Sequence, residues 1–126
     1  MRIAINSAII NNNKEILLVK KRDTWILPGG KPDEGESDLE CLNREISEEL
    51  NGAKLRNTQF YNIFVGQTPY KGDQLEARVY FAELITDILS ASAELSEAKF
   101  IKDFDNYKIS DITLKILNGL KITGNL

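Results

Sequence analysis

Apolar and polar residues recur with two different periods along this chain, and the changes of period mark its elements. "RIAINSAII" and "EILLVKKR" are apolar, β-branched runs separated by "NNNK", a turn-forming tract. They predict two strands joined as a hairpin. "DTWILPGGKPDEGES" follows, a Pro/Gly-rich loop with a short apolar start at Trp25 to Leu27. Ser37 with Glu40 three residues on makes a capping box, so a helix is predicted to begin at about Asp38. Leu39, Leu42, Ile46 and Leu50 recur at helical spacing and form its expected buried stripe. Asn51-Gly52 should stop it, because both residues tolerate the left-handed conformation of a helix end. "KLRNTQFYNIFVGQ" reads as a strand. So does "QLEARVYFAELI", where Leu75, Ala77, Val79 and Phe81 alternate with Glu76, Arg78 and Tyr80. "TPYKGD" is the loop between them, and "TDILSASAELSE" carries no clear period. "AKFI" predicts a last short strand, and Ile112, Ile116, Leu117 and Leu120 predict a C-terminal helix. The order predicts an α/β fold with a mixed sheet and helices packed against it.

Composition narrows the function. The 126 residues, 42% hydrophobic and without linker or repeat, predict one domain over 1–126 with an ordinary core. A net charge of −3 and a pI of about 5.0 argue against a bulk nucleic-acid binder. An anionic substrate would then need a bound cation or local basic residues. Cys41 is the only cysteine, which rules out an intrachain disulfide and fits a reducing, cytoplasmic setting. "MRIAINSAII" is too short and polar for a signal peptide, and no apolar run approaches membrane-spanning length. The absence of histidine removes imidazole acid/base catalysis, Ser-His triads and His-ligated zinc together. Chemistry must run on carboxylates, Lys, Tyr, Arg or a metal.

"REISEELNG" places Glu45, Glu48 and Glu49 at i, i+3 and i+4, neighbours on one helix face. Like charges there repel by roughly 0.2–0.5 kcal/mol per pair. Around the helix axis they fall at the edge of the predicted buried stripe. Two readings are open: a solvated acidic flank, softened by Arg44 pairing with Glu48, or a site for a hard cation. Mg²⁺ takes one or two protein carboxylates together with water and phosphate oxygens, and would turn the repulsion into attraction. Gly29-Gly30 allow a tight turn with an exposed carbonyl, and the loop delivers Glu36 ahead of the helix.

Taken together, these residues resemble the signature of the Nudix hydrolase family, G-x5-E-x7-R-E-U-x-E-E-x-G-U, with U a bulky aliphatic residue. Gly30, Glu36 and Arg44-Glu45-Ile46-Ser47-Glu48-Glu49 satisfy it in register. The end departs: Asn51 stands where the signature has its last glycine, and Gly52 where it has an aliphatic residue. Trp25, "LPGGK", "EGES" and the late "EAKFI" also resemble the family. The resemblance implies an α/β/α sandwich with the box, about 30–52, as loop-helix-loop. It implies cleavage of a pyrophosphate linkage in a nucleoside diphosphate derivative, with Mg²⁺ or Mn²⁺ as cofactor. By motif position, Glu48 and Glu49 are the implied core metal ligands and the Gly29 carbonyl the backbone ligand. Glu45 is a further ligand or general base. Arg44 orients the helix glutamates, and Glu36 is a structural or outer-sphere member. Some members add a late-loop carboxylate, for which Glu94 is the first candidate and Glu97 the second.

Substrate choice lies outside the box. Lys20, Lys21, Arg22, Lys31 and Arg78 are candidates for phosphate contacts, against a plain role in solubility and salt bridging. Tyr61, Phe64, Tyr70 and Tyr80 are candidates for stacking a base, against a core role. Pro69 and Tyr70 fall in the region that distinguishes dinucleoside polyphosphate from ADP-ribose hydrolases in the family, and they point both ways. The short chain resembles MutT-like members, so the expected substrate is a nucleoside triphosphate released as monophosphate plus pyrophosphate. The alternatives are ADP-ribose, a nucleotide sugar or a dinucleoside polyphosphate, or a non-catalytic nucleotide-sensing module of the same fold. The four motif glutamates with Arg44 favour the enzyme. Family resemblance also implies a homodimer as a possible assembly.

Overall fold

A computed structural model describes residues 1–67, 73–86, 88–92 and 94–126. It contains β1 (Arg2–Ala8), β2 (Ile16–Lys21), β3 (Thr24–Ile26), β4 (Gly29–Gly30), α1 (Asp38–Glu49), β5 (Lys54–Gln67), β6 (Gln74–Ile85), β7 (Leu95–Ile101) and α2 (Asp111–Ile122). The strands form two sheets rather than the one expected: a four-stranded sheet in the order β4-β1-β6-β5 and a three-stranded sheet in the order β3-β2-β7. The first is mixed, since β1 runs parallel to β6 and antiparallel to β4.

The predicted hairpin of β1 and β2 shrinks to a single rung. Ile10 bridges Ile16, and the Leu17 N–H donates to the Ile9 carbonyl at 2.9 Å. Beyond that rung the strands diverge, because both edges of β1 are taken by β4 and β6. β2 has a different demand. Ile16, Leu17, Leu18 and Val19 are all buried. Leu17 and Val19 face the cluster around Ile46 and Leu50 of α1, while Ile16 and Leu18 face the cluster around Ile116 and Leu120 of α2. A strand covered on both faces reads as a continuous apolar run. The two helices therefore sit on opposite sides of the strands, an α/β/α sandwich.

Helix α1 begins as its capping box requires. The Glu40 N–H donates to Ser37 Oγ at 3.1 Å, and the Ser37 N–H donates to Glu40 Oε1 at 3.0 Å. Its buried stripe differs from the predicted one. Leu39 is 46% exposed, and Cys41 is buried with Leu42, Ile46 and Leu50. The first turn is held by polar contacts of Asp38 instead: Tyr80 Oη donates to it at 2.6 Å and Arg78 Nη1 at 3.3 Å. With Cys41 on the buried face and about 100° between residues, Glu45 and Glu49 fall between Cys41 and Leu42. They are inside the buried arc, not at its edge. After the helix, Asn51 (φ 53°) and Gly52 (φ 86°) adopt the expected left-handed turn. β5 and β6 coincide with the predicted strands, and α2 buries Ile112, Ile116, Leu117 and Leu120 as its spacing requires. β7 begins three residues earlier than "AKFI", at Leu95, where it is paired with Lys21 across a bulge. Among the described residues, no helix is long and apolar enough to cross a membrane.

Candidate active site

The site grows from the contact between β4 and α1. Gly29 and Gly30 pair with Asn6 and Ile5 of β1, which lays the loop against the acidic side of the helix. Neither glycine has room for a side chain. Gly29 has φ 142°, and a Cβ there would meet the Ile5 carbonyl oxygen at 2.1 Å. A Cβ on Gly30 would stand 2.6 Å from the Glu45 carboxyl carbon. The missing side chains let the backbone reach the carboxylates directly. The Gly29 N–H donates to Glu49 Oε1 at 2.9 Å.

Arg44 organises the remaining acids. Its Nε and Nη2 grip Glu36 as a two-pronged fork at 2.7 and 2.9 Å. Nη1 reaches Glu45 Oε1 at 3.0 Å and both Glu48 oxygens at 3.4 Å. Nη2 also donates to the Lys31 carbonyl at 3.1 Å. One guanidinium thus ties the loop to three glutamates, which planar five-donor geometry permits and an ammonium does not. Among the described residues, no three acidic or thiol side chains already converge as a ready-made ligand set. Arg44 draws Glu45 and Glu48 one way, and the Gly29 N–H holds Glu49 another.

Environment separates these acids. The Arg44 hydrogen bonds hold Glu36 at a pKa of about 2. Burial raises Glu45 and pushes Glu49 up to about 8, with the neighbouring glutamates adding to the rise. Burial also lifts the Cys41 thiol to about 12, so this lone cysteine is an inert packing group whose Sγ lies 3.6 Å from the Gly30 carbonyl.

A cleft of about 790 Å³ opens beside the loop, within the size range of small-ligand pockets. Gly29, Gly30 and Lys31 form one wall, with Lys21 and Arg22 at the β2–β3 turn. Arg22 holds φ 57°, a left-handed conformation uncommon for arginine. Asn6, Ile26 and Leu27 also line it, together with Ser110, Thr113 and Ile116 of the α2 region.

Not every residue singled out in the sequence reaches this place. Arg78 and Tyr80 are engaged with Asp38 at the start of α1, and Arg78 also bonds Glu76 at 2.9 Å. Tyr61 and Phe64 pack against the α2 core. Lys20 stands opposite Glu97 in the β2–β7 ladder. Glu94 is exposed on the turn before β7 and pairs with Lys21 at 3.1 Å. Pro69 and Tyr70 lie outside the described residues. Three residues near the site escaped the sequence reading. Asn6 hides in an alternating strand, Asp38 in the first turn of an acidic helix, and Ser92, which bonds the end of α1, in the stretch without a period. None carries a local signal, because each acts through a tertiary partner.

Known proteins share the fold, and others resemble part of the chain in sequence. The chain is 43% identical over 51 residues to an RNA pyrophosphohydrolase of Ruthia magnifica, across 39% of this chain and 28% of that protein. It is 51% identical over 43 residues to a Bacillus subtilis protein provisionally named an 8-oxo-dGTP diphosphatase, across 32% of this chain and 29% of that one. The chain therefore spans less than a third of the length of these relatives in each match. The solved structure of a MutT protein from Methanosarcina mazei Go1 superposes with a TM-score of 0.79 at 18% identity, covering 98% of this chain and 94% of that one, a likeness of fold. The family profile of the NUDIX domain matches residues 1–108. That match runs through every strand and the whole of α1, and the chain belongs to the NUDIX domain family.

Proposed function

We propose that residues 1–126 act as one domain, a divalent-cation-dependent pyrophosphohydrolase that cleaves a phosphoanhydride bond in a nucleoside diphosphate derivative. The observation that carries this reading is the packing of Glu45 and Glu49 into the buried face of α1, against a loop whose glycines leave the backbone open, beside a cleft edged with Lys21, Arg22 and Lys31. Burying carboxylates side by side is costly unless a positive partner offsets them. The donors are hard oxygens, which suit Mg²⁺ or Mn²⁺. Glu45, Glu48, Glu49 and the Gly29 carbonyl would hold the cation. When bound, it supplies charge neutralisation and Lewis acidity at the phosphates.

The chain's own groups supply the rest. Arg44 fixes the rotamers of Glu45 and Glu48 and is itself fixed by the fork on Glu36. Lys21, Arg22 and Lys31 meet the phosphate oxygens and orient the anhydride for in-line attack. Water attacks phosphorus, the bond to the bridging oxygen breaks, and the leaving phosphate departs with the electron pair. Glu45, where it does not itself hold the cation, is the first candidate to accept the proton of that water. Glu94, tied to Lys21, is the second candidate for that role. Within the class, a nucleoside triphosphate split into monophosphate and pyrophosphate is favoured, supported by the name of the Bacillus subtilis relative. Excess EDTA should abolish turnover and added Mg²⁺ should restore it. Undiminished turnover in chelator would contradict the mechanism.

A further inference from the structure

The last turn of α1 carries two acids of the site, and its closure is unusual. A helix leaves its final four carbonyls without partners inside the helix. In the common left-handed ending, the second residue after the cap bonds back five residues, and the first bonds back to the next carbonyl along. The first of these bonds is made here: the Gly52 N–H donates to the Ser47 carbonyl at 2.8 Å. The Leu50 carbonyl accepts from the Ala53 N–H at 3.2 Å. The carbonyls of Glu48 and Glu49 remain, and both are served by one residue of a distant loop. Ser92 Oγ donates to the Glu48 carbonyl, and the Ser92 N–H donates to the Glu49 carbonyl at 2.8 Å. The Asn51 N–H, which the usual ending would send to Glu48, donates to Ser92 Oγ at 3.1 Å. A hydroxyl has been inserted into the hydrogen bond that normally closes the turn.

We propose that Ser92 is a positioning residue for the cation site, setting the backbone of Glu48 and Glu49 and through it the placement of their carboxylates. The inference rests on the metal role given to these glutamates above. It follows from where the inserted hydroxyl sits. Glu48 and Glu49 lie in the last turn, whose negative dipole end disfavours them, and no basic residue within that turn offsets this. Their orientation depends on outside partners: Arg44 for the Glu48 side chain, the Gly29 N–H for the Glu49 side chain, and Ser92 for both main-chain carbonyls. Removing the hydroxyl lets the Asn51 N–H close directly on the Glu48 carbonyl, which draws that peptide inward and turns its side chain. Partners that orient metal ligands typically change metal affinity about 10–100-fold when lost.

The test is Mn²⁺ binding to the whole protein without substrate, followed by the loss of the free Mn²⁺ paramagnetic resonance signal. Wild type should bind. Ser92→Ala should bind about 10-fold more weakly, and Ser92→Thr, which keeps the hydroxyl, should return to the wild-type constant. If Ser92→Ala fails to fold, Ser92→Cys, with a similar shape and a weak donor, carries the same expected loss. Wild-type Mn²⁺ affinity in a folded variant without the hydroxyl would overturn the inference, even where that variant is less stable. Absence of Mn²⁺ binding by the wild type would overturn the metal reading itself, and this inference with it.

Discussion

Glu49 sits in the last turn of a helix, where a negative charge opposes the dipole, and it is also packed into the buried face. Both effects favour its neutral form, and its pKa rises from 4.5 to about 8. The consequence for stability has a definite sign. Between about 4.5 and 8 the folded chain keeps a proton that the unfolded chain has released, so stability falls as pH rises through that window and levels off above it. The slope approaches about 1.4 kcal/mol per pH unit for one full proton. Glu45 acts in the same direction. Glu36, held at about 2 by Arg44, contributes its stabilisation as pH rises towards 4.5 and no longer changes within the window. With no histidine to titrate, urea melts of the metal-free protein from pH 5 to pH 8 should show a falling stability that Glu49→Gln flattens. A flat wild-type profile would remove Glu49 from the buried arc. The sequence identified the three acids by spacing alone. It misjudged their burial because Cys41, a residue easily passed over as apolar, extends the buried arc to the side of the helix on which Glu45 and Glu49 lie.

At the scale of elements, α1 is held at both ends by side chains from elsewhere. Tyr80 and Arg78 of β6 grip Asp38 at its start, and Ser92 closes its end. Tyr80 was a candidate for substrate contact, and the Asp38 bond gives it different work. Tyr80→Phe keeps the ring edge-on to Phe60, whose centroid lies 5.3 Å away, and removes only the hydroxyl. It should cost about 1 kcal/mol in denaturant melts and leave KM for a nucleotide unchanged. A large rise in KM without loss of stability would return Tyr80 to the substrate. Elements whose cause is local were legible in the chain: the capping box, the β5 and β6 runs and the α2 spacing. The β1–β2 pairing was not. A turn-forming tract says that two strands are close at one end, and says nothing about which neighbours compete for their edges. β4 was also hidden, because two glycines have no strand propensity and pair only where Ile5 and Asn6 offer an edge.

For the whole molecule, two sheets between two helices frame a cleft lined by the glycine loop, Lys21 and Arg22, while the glutamates of α1 stand behind that loop rather than in the lining. The box was readable because its residues stand at fixed spacing on one loop and one helix. The cleft was not, because it is assembled from β1, the β2–β3 turn and the start of α2, segments far apart in the chain. The measurement that tests the account most directly is a product screen with Mg²⁺ over canonical and oxidised nucleoside triphosphates, nucleotide sugars, ADP-ribose and dinucleoside polyphosphates, with Glu48→Gln in parallel. Glu48 is exposed, so that variant should fold as the wild type does, and its loss of turnover would report on chemistry. The account predicts a strong nucleoside triphosphate signal appearing as monophosphate plus pyrophosphate, and its near-complete loss in Glu48→Gln. Turnover by Glu48→Gln at the wild-type rate, or silence of the wild type across the whole panel, would contradict it.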